Sequence, residues 1–317
     1  MANIISLMKV LIIKPSSLGD VVHALRVVAV LKKKLKPVEI HWVIKKGLEG
    51  IIDASGLVDK SFLFNRGQGL REFFQLGRSL RRESYDMVLD MQGLLRSAFL
   101  ARIANGRSCF GRPDGRELST FFYKTTNHPV QKEPHAIDRL STFLEIFNLR
   151  AEKELNLSFN VSNLEGQHSA KLVSKNKKIL LFPETRRHEK CWPFFKDLAR
   201  KLKQNQIGDV IISGIEKDNL YPSALDLRGS IPLISIPALV SEATLVVAND
   251  SAPLHIASAM GIPTLGIFGP TNPIYYGPYP LNKKNGEVIC SPTSAISEVG
   301  VNHVFNKILS MLESVDP

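Results

Sequence analysis

The feature that most constrains this chain is a repeated alternation of short apolar runs with helical stretches, joined by short connections. In the first half, apolar runs that fit buried strands lie at 8–14, 39–45, 60–65 and 86–92. Helical patterns follow them, notably at 19–35, 70–84 and 94–106, and another at 135–149 ends this half. Repeated strand–helix units of this kind predict a parallel sheet covered by helices on both faces.

The alternation restarts after a polar, weakly periodic segment at 150–176, with apolar runs at 177–183 and 209–215 and a last helical pattern at 299–314. The sequence therefore predicts an α/β chain of two doubly wound, Rossmann-like domains, 1–160 and 161–317, facing a cleft. The last helix is expected to be able to pack back on the first domain.

Positive charge is concentrated in the first half of the chain. Residues 1–160 carry 25 Lys and Arg against 16 Asp and Glu, a net charge of +9, whereas residues 161–317 carry 16 against 14. A solvated surface and an acidic partner, either a phosphorylated substrate or an anionic membrane face, are both compatible with this excess. Nucleic acid is disfavoured, because the basic runs lack interleaved aromatic residues and any recognised motif.

Other features of composition bear on where the chain works. No apolar run approaches the roughly 20 residues of a membrane-spanning helix, and the N-terminus lacks the basic region and cleavage site of a signal peptide. The three cysteines, Cys109, Cys191 and Cys290, are widely spaced without a CxxC or metal-ligand pattern. A reducing cytoplasm is the expected location.

A corner of small residues follows a strand in the stretch LVVANDSAPLHIASAMG, which begins at Leu245. Asp250 and Ser251 are residue types that begin helices, and Gly261 is suited to end this one. A helix that begins where a strand ends presents free amides to a phosphate, with His255 one turn further on. Two interpretations stay open: an anion site, or a simple cap with a packed histidine.

A second corner, KPSSLGD, joins the first strand to the first helix at 14–20. Asp20 would be unremarkable as the N-cap of that helix. It would also lie where the first sheet faces the cleft, with a helix dipole that keeps it ionised for acid–base chemistry. The residues alone favour the cap.

A third corner, PETRRHEKCWP at 183–193, follows the first strand of the second half. Thr185, Arg186, Arg187 and Lys190 place one hydroxyl and three cations within six positions, which suits a diphosphate. A solvated basic loop is the alternative.

Several common catalytic motifs are missing from the sequence. The chain has no P-loop, no GxGxxG after the first strand, no HExxH and no GxSxG. It also has no Asp-x-Asp, with which many transferases hold a nucleotide diphosphate through a metal. If a diphosphate binds, cations and helix amides must neutralise it.

Taken together, these segments resemble the lipopolysaccharide heptosyltransferase family, which are inverting glycosyltransferases of the GT-B fold. The resemblance lies in KVLIIKPSSLGDVVHALRV, YDMVLDMQGLLRSAFLAR, HAIDR, ETRRHEKCWP and NDSAPLHIASAMGIPTLGIFGPTNP, which together span most of the chain. QGLLRS followed by GRPDGRE leans toward the first heptosyltransferase of the pathway. The family fold implied is GT-B.

The resemblance also implies roles for individual residues, beginning with Asp20 as the general base in place of a simple cap. Binding of the donor would involve Thr185, Lys190, Glu216, Asp250, Ser251, the amide of Ala252, and His255. Contacts to the acceptor would involve Ser17, Gly19, Arg66, Arg116 and Arg139. No dedicated metal and no cofactor beyond the nucleotide sugar are expected.

The function that the resemblance implies is transfer of heptose from ADP-L-glycero-D-manno-heptose to the Kdo or inner core of lipopolysaccharide. The expected partners are ADP-heptose, Kdo-lipid A or inner-core lipopolysaccharide, and an anionic inner-membrane surface, without nucleic acid. The expected location is cytoplasmic, peripheral to the inner membrane. Two alternatives remain: a sister transferase with the second enzyme's acceptor or another nucleotide sugar, and a non-catalytic nucleotide-binding protein.

Overall fold

The chain divides into two compact units, Met1–Leu157 and Ser158–Pro317. The computed structural model describes residues 7–65, 67, 69–132, 134–161, 174–215, 221–280 and 285–315. Each unit is built around one parallel sheet.

The first unit has a sheet in the order β3-β2-β1-β4-β5-β6. Its strands are β1 Met8–Ile13, β2 Val38–Lys45, β3 Lys60–Phe64, β4 Tyr85–Asp90, β5 Gly106–Gly111 and β6 Lys124–Thr125. Its helices are α1 Leu18–Lys34, α2 Glu49–Ser55, α3 Gly69–Arg81, α4 Leu95–Ile103 and α5 Ala136–Glu145, with a 3₁₀ turn at Ser119–Phe122.

The second unit has a sheet in the order β12-β11-β10-β7-β8-β9. Its strands are β7 Lys178–Phe182, β8 Asp209–Ile212, β9 Leu225–Asp226, β10 Leu245–Asn249, β11 Thr264–Phe268 and β12 Gly286–Cys290. Its helices are α6 Phe195–Gln204, α7 Ile236–Ser241, α8 Ala252–Met260, α9 Pro273–Tyr276 and α10 Val301–Val315, with 3₁₀ turns at His188–Lys190, Leu233–Ser235 and Ile296–Glu298.

Both sheets place the first strand of their unit in the middle of the sheet, with later strands on either side of it. In the first unit β1 pairs with β2 on one side and with β4 on the other. In the second unit β7 pairs with β8 and with β10 in the same way. The strand order reverses between β1 and β4 and between β7 and β10, so a crevice forms at their carboxyl ends. The predicted doubly wound α/β class is confirmed.

The central strands are continuous apolar runs because helices bury them on both faces. Residues 10–13 of β1 and 245–248 of β10 have no solvent exposure. In the second unit, Val304, Ile308 and Leu312 of α10 pack into the same buried cluster as the strands. The last helix therefore contributes directly to the core of its own unit.

Three strands, β5, β6 and β9, were not predicted from the sequence, and they lie toward the sheet edges. β5 reads GRSCFG, a poor strand pattern with glycine at both ends. Gly106 is required by a close approach, since an added Cβ would lie 2.5 Å from Cγ2 of Val88. β6 and β9 have only two residues each. Pairing with a neighbouring strand, and not local propensity, forms these elements.

A buried leucine of β1 should be worth far more stability than an exposed one in the same sheet. Leu11 has no exposed surface and packs in the core of the first unit, whereas Leu63 of β3 is 46% exposed. We expect Leu11→Ala to lower the free energy of unfolding by about 2–5 kcal/mol and Leu63→Ala by about 0.5 kcal/mol or less. Urea titration of both variants measures the difference, and equal losses would contradict this account of the core.

Candidate active site

Two of the predicted corners meet at the carboxyl edge of the second sheet. The loop after β7 and the corner after β10 are neighbours because these two strands pair. The buried side chain of Asn249 joins them: its Oδ1 accepts a hydrogen bond from the Trp192 amide at 3.0 Å, and its Nδ2 donates to the Pro183 carbonyl at 2.8 Å. This side-chain amide fixes the loop 183–192 against the end of β10.

Asp250, the next residue, is the centre of a polar cluster. Its Oδ2 lies 2.5 Å from Nζ of Lys190 and accepts a hydrogen bond from Oγ1 of Thr271 at 2.8 Å. Nε2 of His255 lies 3.8 Å from its other oxygen. The carboxylate and the imidazole are both buried. The structure thus brings together three predicted donor-binding residues, and adds Thr271, to which sequence analysis gave no role.

The first turn of α8 faces this cluster with free hydrogen-bonding capacity. Ser251 is the N-cap, but its side chain makes no capping hydrogen bond. Its Oγ is buried and has no hydrogen-bond partner in the part of the chain that the structure describes. Pro253 lies in the first turn, and Gly261 ends the helix in the left-handed conformation, as predicted. A helix N-terminus with an unused hydroxyl and a nearby lysine is suited to bind a phosphate.

The cations of the loop after β7 differ in what they contact. Arg187 pairs with Glu189 within the loop, Arg186 is exposed, and only Lys190 reaches the Asp250 cluster. The carbonyl of Thr185 accepts a weak hydrogen bond from Sγ of Cys191 at 3.7 Å. Of the three cations in the predicted diphosphate loop, Lys190 is therefore the one that contacts the cluster.

A further part of this edge escaped sequence analysis. Oε2 of Glu184 accepts a hydrogen bond from the Ile215 amide at 2.6 Å, and an added Cβ on Gly214 would lie 2.6 Å from Oε1. Ser213, at the end of β8, is fully buried, and its Oγ has no hydrogen-bond partner among the described residues. The signal was weak, since a serine or a glutamate after a strand is common. The predicted donor residue Glu216 lies outside the described residues.

In the first unit, the structure corrects the position of Asp20 in its helix. Ser17 is the N-cap of α1, and Asp20 is the third helical residue of a capping box. Oδ2 of Asp20 accepts hydrogen bonds from the Ser17 amide at 3.0 Å and the Ser17 hydroxyl at 2.9 Å. The side chain keeps 38% of its surface exposed. Asp20 therefore supports the helix start and still presents its carboxylate to solvent.

A buried lysine lies beside Asp20, which sequence analysis did not single out. Nζ of Lys14, at the end of β1, is 3.7 Å from Oδ2 of Asp20, and the lysine side chain is 3% exposed. Burial lowers the pKa of Lys14, and the charge of Asp20 opposes this effect. A lysine at the end of an apolar strand was the available signal, because buried lysines are rare unless paired.

Asp90, at the end of β4, is the second carboxylate near Lys14 and has no exposed surface. Its Oδ1 accepts hydrogen bonds from the amides of Gln92 at 3.0 Å and Gly93 at 3.1 Å, and its Oδ2 accepts one from Oγ of Ser97 at 2.9 Å. Burial raises the pKa of Asp90 to about 6, although these hydrogen bonds oppose the shift. Parallel pairing of β1 with β4 brings these charges to one edge.

A pocket of about 160 Å³ opens at this edge of the first sheet. Its lining combines Ser16 of the Asp20 loop with two cations, a carboxamide and apolar side chains: Pro15, Ser16, Lys45, Phe64, Gln92, Leu94, Arg96, Ser97, Leu100 and Glu117. Oε1 of Gln92 is buried and has no hydrogen-bond partner in the described chain. The pocket thus combines an unused acceptor oxygen with the two cations and the carboxylate of Glu117.

The predicted acceptor residues of the first unit are distributed unevenly. Gly19 lies in the first turn of α1, next to Asp20. Arg116 has an exposed side chain and an amide that donates to the Gly93 carbonyl at 2.9 Å. Arg139 lies 3.9 Å from Asp114, which also binds Arg112, and both Arg139 and Asp114 line a second pocket. Arg66 lies outside the described residues.

The described residues contain neither a cluster of metal ligands nor a membrane-spanning helix. No group of three His, Cys, Asp or Glu side chains is arranged there to hold a metal ion. No helix in the described ranges is both long and apolar enough to cross a membrane.

Comparison with known proteins identifies similar chains. The sequence profile of glycosyltransferase family 9 (heptosyltransferase) matches residues 73–308. The lipopolysaccharide heptosyltransferase 1 of Pseudomonas aeruginosa is 27% identical over 293 residues, which cover 86% of this chain and 81% of that enzyme. The structure of the E. coli heptosyltransferase WaaC with ADP matches with a TM-score of 0.80 at 23% identity, covering 96% of this chain and 100% of that one. The same enzyme with ADP-2-deoxy-2-fluoro heptose matches with a TM-score of 0.75 at 21% identity, covering 96% and 99%. The likeness in fold confirms the predicted GT-B class.

Burial of Asp90 predicts a pH-dependent stability. The folded chain holds the Asp90 proton more tightly than the unfolded chain, because the folded pKa of about 6 exceeds the ordinary value of 3.8. The stabilising effect is complete below about pH 4 and is lost as the pH rises through about 6. Asp90→Asn keeps the shape, and its amide can donate to Oγ of Ser97, whose hydroxyl also reaches the Leu94 carbonyl.

We therefore expect the stability of Asp90→Asn relative to the wild type to rise between pH 4 and pH 7, by up to about 3 kcal/mol. Urea titrations of both proteins across this range measure the difference. A difference that does not change with pH would show that Asp90 is not held near this pKa.

Proposed function

The chain belongs to glycosyltransferase family 9, the heptosyltransferases, and from this premise we propose that it transfers heptose from ADP-L-glycero-D-manno-heptose to lipopolysaccharide. The acceptor proposed is Kdo on lipid A, the reaction of the first heptosyltransferase. Its support is the motif pair QGLLRS and GRPDGRE and the similarity to the Pseudomonas aeruginosa enzyme. The reaction proposed is a single displacement that inverts the anomeric centre.

The observation that carries this proposal is the cluster of Lys190, Asp250 and His255 at the start of α8. In the donor complex, Lys190 and the free amides of the helix bind the diphosphate of ADP-heptose. Ser251 supplies its unused hydroxyl, and the amide of Ala252 is the first of the helix. Asp250 cannot donate to a phosphate, so its role is to position Lys190 and His255. Thr185 and Glu216 complete the proposed donor site.

The proposed general base is Asp20, in the first unit. An ionised carboxylate suffices, because the proton leaves the acceptor hydroxyl as the new bond to the anomeric carbon forms. Two hydrogen bonds from Ser17 and the nearby charge of Lys14 hold the Oδ2 oxygen in place. Lys14 is therefore a positioning residue for the proposed base.

Departure of ADP is the step that most needs electrostatic help. Negative charge builds on the diphosphate oxygen as the glycosidic bond breaks. Lys190 and the N-terminus of α8 stabilise that charge without reorganisation. The lysine is already held by Asp250, and Asp250 is itself held by a hydrogen bond from Thr271. In this proposal the neutralisation of the leaving group requires no dedicated metal.

The proposed acceptor site is the pocket beside Ser16 in the first unit. Kdo is a sugar acid, and Lys45 and Arg96 in the pocket lining are suited to its carboxylate. The buried Oε1 of Gln92 would accept a hydrogen bond from a sugar hydroxyl. Ser17, Gly19, Arg66, Arg116 and Arg139 are the further acceptor residues proposed from the motifs.

We place the enzyme at the cytoplasmic face of an anionic inner membrane, where this lipid-linked acceptor would be met. The net charge of +9 on residues 1–160 supports this location. The remaining alternatives are a sister transferase with another acceptor or nucleotide sugar, and a nucleotide-binding protein without turnover. Both predict a folded chain that binds a nucleotide at the same cluster, so turnover and binding have to be measured separately.

Replacement of Asp20 by Asn should nearly abolish turnover. The variant keeps an oxygen for the Ser17 hydrogen bonds but loses the base, so we expect kcat to fall about 10²- to 10⁴-fold. The measurement is ADP release from ADP-heptose in the presence of Kdo-lipid A. The matched control is Asp138→Asn, since Asp138 occupies the same third position of a capping box on α5.

The control should lose only the stability of a helix cap, about 1 kcal/mol, and keep its turnover. If both variants turn over like the wild type, Asp20 is a cap and not the base. If the wild type binds ADP but releases none from any sugar donor, the non-catalytic alternative holds. Release that is driven by another core acceptor would instead identify a sister transferase.

Replacement of Lys190 by Met should weaken ADP binding by about tenfold or more, because a charge-assisted hydrogen bond to phosphate is lost. The matched control is Lys178→Met, which removes a lysine of the same unit that pairs with Glu242 at 2.9 Å. Calorimetric titration with ADP measures both. Equal affinities for the two variants would remove Lys190 from the proposed diphosphate site.

A further inference from the structure

An exposed apolar surface lies on the first unit, formed by α3, α4 and the 3₁₀ turn at Ser119–Phe122. Leu70 and Phe74 on α3 are 75% and 57% exposed, and Phe121 in the 3₁₀ turn is 82% exposed. Leu95 and Phe99 of α4 and Leu118 before the turn are also exposed. We call this set the aromatic face. A group of large apolar side chains exposed together on neighbouring helices and turns indicates a binding surface.

Contacts between rings show that the aromatic face is continuous. Phe73 lies beside Phe74 and stacks on Phe99 across the two helices, with centroids 6.0 Å apart in each pair. Phe99 in turn meets Phe122 of the 3₁₀ turn edge to face at 6.3 Å. Phe73 also contacts the buried ring of Phe64 in the sheet. The exposed rings of Phe74 and Phe99 are therefore packed against further aromatic rings.

The aromatic face has a basic border. Arg71, Arg78 and Arg81 are exposed on α3, Arg82 follows that helix, and Arg96 and Arg102 are exposed on α4. None of these six forms an ion pair with another residue in the described part of the chain. On α3, Leu70, Phe74 and Arg78 succeed one another at a spacing of four residues and share one side of the helix.

Apolar rings flanked by exposed arginines match an anionic bilayer surface, in which a layer of charged head groups covers the apolar acyl chains. Phenylalanine and leucine side chains insert into the boundary of the acyl chains, and arginines bind the phosphates of the head groups. A second copy of this chain would bring the same six positive charges against one another, which disfavours self-association. Charge complementarity thus selects an anionic lipid surface.

The aromatic face also adjoins the pocket of the first unit. Arg96 and Leu100 of α4 line that pocket, while Leu95 and Phe99 of the same helix are exposed on the aromatic face. Arg96 lies over the ring of Phe64, with its guanidinium carbon 6.0 Å from the centroid. A lipid-anchored substrate held at this face would have its sugar next to the pocket.

We infer that α3, α4 and the turn at 119–122 form the surface by which this chain docks on an anionic membrane. The rings of Phe74 and Phe121 insert into the lipid, and the arginines of α3 bind head-group phosphates. The link to the acceptor pocket rests on the function proposed above, but the docking does not.

Co-sedimentation with vesicles tests the inference without any sugar substrate. The wild type should bind vesicles of phosphatidylglycerol and phosphatidylcholine, bind phosphatidylcholine alone far less, and lose affinity as salt is raised. The double variant Arg71→Gln/Arg78→Gln should bind about 25-fold more weakly, since each arginine contributes about fivefold. The matched control is Lys196→Gln/Lys203→Gln, two exposed lysines with the same spacing on α6.

Phe74→Ser and Phe121→Ser should each weaken vesicle binding about tenfold or more, whereas Ile215→Ser, which changes an exposed apolar residue of the second unit, should not. Circular dichroism checks that each variant is folded. Wild-type protein that does not bind anionic vesicles, or variants that bind like the wild type, would overturn the inference. A wild-type dimer in sedimentation equilibrium that dissociates in Phe74→Ser would identify a second copy as the occupant and overturn it as well.

A comparison of two acceptors separates docking from catalysis. Phe74→Ser should lower kcat/KM for Kdo-lipid A in vesicles but not for a water-soluble acceptor stripped of its acyl chains. Equal losses on both acceptors would mean that the residue acts on the pocket and not on the membrane. Vesicle binding without any transfer would leave the docking surface standing and refute the proposed function alone.

Discussion

The pairing of the first and fourth strands in each sheet is the constraint on which the rest of the structure depends. These strands are buried on both faces, so their side chains are apolar and polar chemistry is confined to the loops and helix starts at their carboxyl ends. Because the strands are parallel, these loops and helix starts meet at one edge of the sheet. Asn249 converts this proximity into fixed geometry through its bonds to the Trp192 amide and the Pro183 carbonyl.

The two edges use charge differently. In the second unit, Asp250 holds Lys190 beside a helix that has no side-chain cap, so the lysine is already in place for the proposed diphosphate. In the first unit, Lys14 lies near two carboxylates of different environment, the exposed Asp20 and the fully buried Asp90. Burial holds the pKa of Asp90 near 6, whereas solvent reaches Asp20. One lysine thus supports a proposed base and a structural carboxylate.

The first unit carries both this sheet edge and the aromatic face. α4 contributes to both, because its buried side lines the pocket and its exposed side carries Leu95 and Phe99. A short helix can serve two surfaces because its side chains point in all directions around the axis. Part of the excess positive charge of residues 1–160 therefore lies on the exposed arginines of α3 and α4.

The sequence by itself determined the doubly wound class, because strand periodicity is a local signal. It also predicted a division near residue 160 and candidate corners at Asp20, Lys190 and Asp250, because capping residues are local signals as well. The family was equally readable from its motifs. Only the tertiary structure decided that Lys190 reaches Asp250, that Lys14 and Asp90 share one buried edge, and that the phenylalanines of α3, α4 and the 3₁₀ turn form one surface. These are contacts between segments far apart in the chain, and no local pattern specifies which strands pair or which side of a helix is left uncovered.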